Sequence, residues 1–186
     1  IGGGSSGNIA FFTNGGNTNY TTPNGTFNTG RWNHVAVTRS SNALRIFING
    51  VLHLYNTSVT FSDSTKKLHI GSGAGDDSSW NGTYYLNGYL QDLRIYKGVA
   101  KYTSNFIPAS TDPDILPDTP SGVAGGSALT KVTDGAVKFD GTSDYLAVAN
   151  SNDFDFDGTF TMEAFVYADT LAANPVIFSR GGGNTG

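Results

Sequence analysis

The sequence contains no cysteine, which excludes disulfide bonds, thiolate metal sites and a cysteine nucleophile. Basic residues are scarce as well: 11 Lys and Arg are spread over 186 residues, and the formal net charge is −4. No basic patch marks a nucleic-acid-binding surface. Apolar runs are short, and none approaches the roughly 20 residues of a membrane-spanning helix. We therefore expect neither nucleic-acid binding nor membrane insertion.

Glutamate occurs once, as Glu163, and motifs typical of catalytic sites are missing. Glycoside hydrolysis needs two carboxylates, so Glu163 would have to act together with an aspartate. Gly-x-Ser-x-Gly, His-Glu-x-x-His and phosphate-loop motifs are absent. The three histidines, His34, His53 and His69, lie on predicted strands, where a histidine is more often packed and hydrogen-bonded than catalytic. We expect a protein that is not an enzyme.

Glycine and aromatic residues are plentiful instead: the chain has 25 glycines, 12% aromatic residues and only 14% charged residues. Glycine supplies the positive φ that tight turns need, and aromatic side chains favour half-buried pleated surfaces. No apolar pattern with a period of 3.6 extends over more than two turns. The composition predicts an all-β protein.

Residues 32–50 predict the hairpin around which the rest of the chain is organised. Side chains alternate with a period of two from 32 to 39, as they do along a strand. A polar turn at 40–42 and a return strand at 44–48 follow, and Asn-Gly at 49–50 indicates a second tight turn.

Residues 88–108 predict a long strand followed by a turn. We expect Leu90, Asp92, Arg94 and Tyr96 to share one face of this strand. A Lys-Gly-x-Ala-x-Tyr turn and an Asn-Phe-x-x-Pro ending come next. A domain is therefore expected to end near Ser110.

These stretches resemble one family of domains. Trp-x-His-Val-Ala-Val-Thr followed by Leu-x-Ile-Phe-Ile-Asn-Gly resembles the central hairpin of laminin G-like, concanavalin A-like jelly rolls, and residues 88–108 resemble their closing strand. Phe-Asp-Gly-Thr-Ser-Asp-Tyr-Leu at 139–146 and the strands within 158–180 resemble the opening strands. The resemblance implies an antiparallel jelly-roll β-sandwich in which late strands precede early strands.

The inverted order divides the chain into three parts. Residues 1–110 correspond to the C-terminal part of a laminin G-like jelly roll, residues 111–127 form a linker rich in proline and glycine, and residues 128–186 correspond to the N-terminal strands. Tandem repeats, a circular permutation, and strands exchanged with a neighbouring copy all fit this order. We favour tandem repeats, because a Pro-rich linker suits an array of like domains. The chain starts at Ile1 and has its one methionine at Met162, so we expect a segment of a longer protein.

Trp80 is the best candidate for binding a sugar. It lies in a polar loop rich in glycine and serine, where an indole can offer its apolar face to a sugar ring. Its neighbours Tyr84, Tyr85, Asp76 and Asp77 supply hydrogen-bonding groups. The sequence predicts a glycan-binding site at these five residues; the alternative is that Trp80 plugs the edge of the core.

Aspartates mark a candidate calcium site. Calcium takes about six to eight oxygen ligands and accepts backbone carbonyls besides carboxylates. The resemblance implies a structural calcium near Asp140 and Asp144, in the turn after the first strand, and near Asp92 on the closing strand. The alternative is that Asp140 and Asp144 only cap their turn.

Two stretches of the sequence also suggest the kind of assembly in which the protein occurs. The Tyr-Thr-Ser-Asn-Phe-Ile-Pro ending and the Pro-Asp-Ile-Leu-Pro-Asp linker resemble laminin G-like modules in virion structural proteins of marine bacteriophages. This implies a structural and adhesive module, a capsid decoration or tail fibre, at the virion surface or in another extracellular assembly. Its expected partners are copies of itself, other virion proteins and cell-surface glycans. The alternative is a bacterial extracellular carbohydrate-binding module or adhesin repeat.

Overall fold

A computed structural model describes residues 1–4, 6–13, 18–60, 67–73, 84–108, 135–171 and 175–180. The predicted linker at 111–127 lies outside these residues. The described part consists of antiparallel β-strands and one short 3₁₀ helix at Asn152–Phe154. Within it, no helix has the length and apolar character that a membrane span requires.

The strands form three sheets. In chain order they are β1 (Gly2–Gly4), β2 (Asn8–Thr13), β3 (Thr18–Thr21), β4 (Trp32–Ser40), β5 (Ala43–Ile48), β6 (Val51–Asn56), β7 (Leu68–Ile70), β8 (Asn87–Lys97), β9 (Val137–Asp140), β10 (Leu146–Val148), β11 (Phe160–Ala168) and β12 (Phe178–Arg180). Two three-stranded sheets have the orders β1-β2-β3 and β10-β7-β12, and a six-stranded sheet has the order β6-β5-β4-β11-β8-β9.

Side chains from all three sheets meet in one hydrophobic core. Ile9 and Phe11 come from β2, Phe178 comes from β12, and Val37 and Phe160 come from the six-stranded sheet. The ring of Phe11 stacks on that of Phe160 with centroids 6.1 Å apart, so β2 and β11 pack face to face. The predicted all-β antiparallel sandwich is confirmed.

The hairpin predicted at 32–50 forms from β4 and β5 and continues into β6. Ser41 and Asn49, each with φ of +52°, and Gly50, with φ of +79°, adopt the left-handed conformations that two-residue hairpin turns require. Both faces of β4 are buried. Val35 and Val37 belong to the core, whereas the opposite face, called here the outer face of the six-stranded sheet, is covered by a later segment.

β11 occupies the centre of the six-stranded sheet. It pairs with β4 from Phe160 to Tyr167 and with β8 from Phe160 to Ala168. β7 likewise pairs with β10 and β12. Residues 1–108 and 135–180 therefore complete each other within this chain. A neighbouring copy could supply the same strands, so the choice among the three arrangements and the domain boundaries themselves stay predictions.

β8 contains a bulge that reverses its side chains. Its pairing with β11 shifts register, and Asp92 at the shift has φ of +53°. Leu90 before the bulge is in the core, and Leu93 and Ile95 after it also pack against the core. The predicted face that joined Leu90 with Asp92 and Arg94 is therefore wrong, because one inserted residue moves all later side chains to the other face.

Residues 98–108, called here the strap, cross the outer face of the six-stranded sheet. Hydrogen bonds tie the strap in turn to β11, β4 and β6: Thr161 Oγ1 donates to the Val99 carbonyl (2.8 Å), Thr38 Oγ1 to the Tyr102 carbonyl (2.8 Å), and the Leu52 N–H to Asn105 Oδ1 (2.8 Å). The stretch that resembles a family turn and ending is thus a cover that spans four strands of the sheet, from β11 across β4 and β5 to β6.

Candidate functional site

Glu163 is a buried carboxylate on the outer face of β11, and its side chain is only 4% exposed. Lys101 Nζ lies 2.6 Å from Oε1, and Tyr102 Oη donates a 2.6 Å hydrogen bond to Oε2. His34 Nε2 lies 3.4 Å from the same Oε2. The strap supplies two of these partners and β4 the third, so Glu163 joins β11 to both.

The strand periodicity explains why Glu163 faces the strap. Its neighbours Met162 and Ala164 point into the core, and alternation sends Glu163 to the outer face. Directly opposite on β4 is Ala36, which is fully buried and small. This small residue leaves space above the sheet for Lys101 and Tyr102.

Electrostatics fix the charge state of the cluster. Burial alone would raise the pKa of Glu163, but hydrogen bonds from His34, Lys101 and Tyr102, together with the Lys101 charge, outweigh it and hold the pKa at about 2. Burial and the hydrogen bond to Glu163 raise the pKa of Tyr102 to about 12. Burial would lower the pKa of Lys101, yet Glu163 and Tyr102 hold it above its usual value. Around neutral pH, Glu163 is therefore a carboxylate and Lys101 an ammonium.

A cavity of about 40 Å³ lies beside the cluster. Asp92 and Arg94 line it and form an ion pair of 2.7 Å at its more exposed side. His34 also lines it, and His34 Nδ1 is buried with no hydrogen-bond partner among the described residues. The volume suits about three water molecules. The cavity therefore has room to hydrate the cluster but is too small for a sugar ring.

Only some of the predicted glycan-binding residues are among those that the structure describes. Asp76, Asp77 and Trp80 lie outside the described residues. Tyr84 and Tyr85 are half-buried; the Tyr84 carbonyl accepts a 3.0 Å hydrogen bond from the Gly73 N–H, and Tyr85 forms a β-bridge with Ser72. These two tyrosines flank the loop, and glycan binding there stays a prediction.

Asp140 is fully engaged by its own turn. Its Oδ1 accepts hydrogen bonds from the N–H groups of Thr142 (2.8 Å), Ser143 (2.8 Å) and Asp144 (3.0 Å), and its Oδ2 accepts from the hydroxyls of Thr142 (2.7 Å) and Ser143 (2.9 Å). These bonds hold the pKa of Asp140 far below its usual value. This geometry matches the turn-capping alternative.

Asp92 lies too far along the sheet to share an ion with that turn. β8 does pair with β9, but the partner of Asp140 is Asn87, five residues before Asp92. At about 3.3 Å per residue the separation is roughly 16 Å. Within the described ranges, no three histidine or acidic side chains are grouped so that they could hold a metal ion. Calcium binding stays a prediction.

Removal of divalent cations tests the predicted calcium site. An ion that binds only the folded state stabilises it by mass action, so treatment with a chelator is expected to lower Tm in a melting experiment. Asp144→Asn is the matched variant, since the turn uses the Asp144 N–H and not its carboxylate; it should reproduce the loss without chelator. An unchanged Tm in both experiments would contradict a structural calcium.

The sequence alone does not predict the Glu163 cluster. Its patterns indicate a packing role for His34, and Glu163 stands out in it only as a possible catalytic carboxylate. The partners Tyr102 and Lys101 are 61 and 62 residues away from Glu163 along the chain, so no local pattern connects them. The one usable signal is a single glutamate in the otherwise largely apolar strand Phe160–Ala168.

Comparison with known proteins supports the fold. A family model described as the concanavalin A-like lectin/glucanases superfamily, of the laminin G type, matches residues 1–101, which include β1 to β8. No curated protein and no solved structure matches the chain. A domain of this kind points to a carbohydrate-binding or structural module. The chain belongs to the concanavalin A-like lectin/glucanase superfamily, as a laminin G-like domain.

Proposed function

We propose that this chain is a non-enzymatic structural and adhesive module of an extracellular assembly, namely a capsid decoration or fibre of a virion. It associates with further copies of itself and attaches to cell-surface glycans. Of the three arrangements that fit the strand order, the exchange of strands between copies is the one that supplies this association directly. Membership of the superfamily by itself indicates a carbohydrate-binding or structural module. The virion setting rests on the sequence resemblance.

One observation carries the self-association: the central strand of the largest sheet comes from the far side of the predicted linker. Without β11, the backbone edges of β4 and β8 would be unpaired in the middle of the sheet. A copy of β11 from a neighbouring molecule offers the same hydrogen bonds and the same Glu163 contacts as the chain's own. Exchange therefore links molecules without any additional complementary surface.

The state of Glu163 supports a non-enzymatic role. Retaining and inverting glycosidases need one protonated carboxylic acid beside a second carboxylate. The pKa of Glu163 is held at about 2 by its three partners, so this residue has no proton to donate near neutral pH. Both of its oxygens are engaged by the strap. Glu163 therefore serves to hold the strap on the sheet.

The adhesive part of the proposal is shared with a second candidate, an extracellular carbohydrate-binding module or adhesin repeat. The observation in its favour is the family itself, whose description includes lectins. The two candidates differ in assembly: an adhesin repeat needs only its own strands, whereas the assembly module exchanges them with neighbours.

An engineered disulfide tests strand exchange. Ile70 of β7 pairs with Leu146 of β10, so these positions come from the two sides of the predicted linker. Residues directly opposite in antiparallel strands have Cα atoms about 4.5–5.5 Å apart, which suits a disulfide. We expect the oxidised variant carrying both Ile70→Cys and Leu146→Cys to form covalent dimers and larger species on a non-reducing gel.

The chain has no native cysteine that could form a competing disulfide, so every disulfide in this experiment must involve an introduced residue. The single variant Leu146→Cys is the control for random coupling of exposed thiols. A double variant that yields only an internally linked monomer, even at high protein concentration, would contradict exchange and leave a permuted monomer that completes itself.

A further inference from the structure

Three aromatic side chains form a row across the outer face of the six-stranded sheet. Trp32 of β4 lies opposite Tyr167 of β11, and Tyr167 lies opposite Tyr89 of β8. The ring centroids are 5.7 Å apart for Trp32 and Tyr167 and 5.9 Å apart for Tyr167 and Tyr89. We call these three residues the aromatic row. On the adjacent strand β9, Lys138 pairs with Tyr89, and its Nζ lies 5.6 Å from the centre of that ring.

The aromatic row lies beyond the area that the strap covers. The strap packs around His34 and Glu163, and among the described residues none of its hydrogen bonds or ring contacts involves the row. Val166 and Ala168, on either side of Tyr167, are buried in the core, whereas all three members of the row are only half-buried. The row is therefore open to solvent beside the part of the outer face that the strap covers.

The polar atoms of the row are available for a ligand. In the part of the chain that the structure describes, no residue bonds to the Trp32 indole N–H or to the hydroxyls of Tyr89 and Tyr167, and these atoms are not buried. Lys138 is exposed and has no acidic partner there. Asp140, two residues further along β9, is engaged by its own turn. One end of the row thus carries an unpaired positive charge.

We infer that the aromatic row and Lys138 bind an extended glycan chain that carries acidic sugars. The C–H face of a pyranose packs on an aromatic ring, and tyrosine and tryptophan add a polar group at the edge of that ring. Neighbouring rings are inclined at 67° and 81°, so a ligand that lies along the row meets ring faces and ring edges in turn. Lys138 adds charge complementarity for the carboxylate of a uronic acid. This inference rests on the glycan-binding part of the proposed function and assigns it to the sheet face.

Calorimetric titration of the whole chain with an oligogalacturonate tests the inference, with a neutral gluco-oligosaccharide of equal length as the matched ligand. We expect the acidic chain to bind about two- to fivefold more tightly, since an ion pair made by an exposed lysine contributes up to about 1 kcal/mol. Tyr89→Ala should weaken binding at least about tenfold, whereas Tyr89→Phe, which keeps the ring, should retain it. Lys138→Gln should abolish the preference for the acidic chain. Melting curves confirm that each variant is folded.

Trp80→Ala separates the two candidate glycan sites. If the aromatic row is the site, this variant binds like the wild type. Loss of binding in Trp80→Ala with normal binding in Tyr89→Ala would overturn the inference and leave glycan attachment at the loop. If the wild type binds neither oligosaccharide, the inference fails, while the adhesive part of the proposed function, which names no particular sugar, is judged by a glycan array and self-association by the disulfide experiment. Equal binding of both chains would overturn the acidic specificity.

Discussion

Phe160→Ala is expected to lower the free energy of unfolding by about 3–5 kcal/mol, the usual cost of removing a large ring from a well-packed core. Phe160 is fully buried, and its ring packs against Phe11 at 6.1 Å and Phe156 at 5.5 Å. Phe160 belongs to the part of the chain after the predicted linker, whereas Phe11 belongs to the part before it. The loss should therefore affect the whole sandwich.

Tryptophan fluorescence shows whether the loss of stability extends to the part of the chain before the predicted linker. Both tryptophans, Trp32 and Trp80, lie before the predicted linker, so denaturant unfolding followed at the indole reports on that part alone. Tyr145→Ala is the control, because Tyr145 is an exposed aromatic residue of the later part, 37% exposed, and its loss should cost less than about 1 kcal/mol. If residues 128–186 formed a separate unit, Phe160→Ala would leave the fluorescence transition unchanged, which would contradict the paired arrangement.

Local patterns were sufficient to predict several strands. The hairpin at 32–50 forms as expected, because period-two alternation and an Asn-Gly turn are signals contained in a few neighbouring residues. Residues 160–168 could be recognised as a strand from their resemblance to an opening strand of the family. Their place between β4 and β8 could not, since strand pairing depends on residues more than sixty positions apart.

The missed features share a physical cause. The bulge at Asp92 is one extra residue, and the alternating pattern continues through it without a visible break. The sequence of the strap contains a recognisable family motif. This motif does not predict that Lys101 and Tyr102 cover a buried carboxylate. The site around Glu163 arises from β4, β11 and the strap together. Such a cluster exists only in the folded chain, so periodicity cannot predict it.

Glu163→Gln is expected to lower the free energy of unfolding by about 2–3 kcal/mol at neutral pH. Removing one partner of a buried ion pair leaves the other charge unpaired and costs more than a surface pair does. Lys101 is 33% exposed and keeps part of its hydration, which places the cost below that of a fully buried pair. Asp92→Asn is the matched control: its ion pair with Arg94 is more exposed, so the same change of group should cost less than about 1 kcal/mol.

The pH dependence of this difference identifies the charge as its cause. The pKa of Glu163 is about 2 in the folded protein, below its ordinary value of 4.5. A depressed pKa means that the carboxylate stabilises the fold above pH 4.5 and that this stabilisation is lost as the pH falls towards 2. The gap between wild type and Glu163→Gln, measured by urea unfolding, should therefore be constant from pH 7 to about 5 and close below 4.5. A gap that stays open at pH 2 would mean that Glu163 acts through packing, and a gap absent at pH 7 would mean that the strap is held without it.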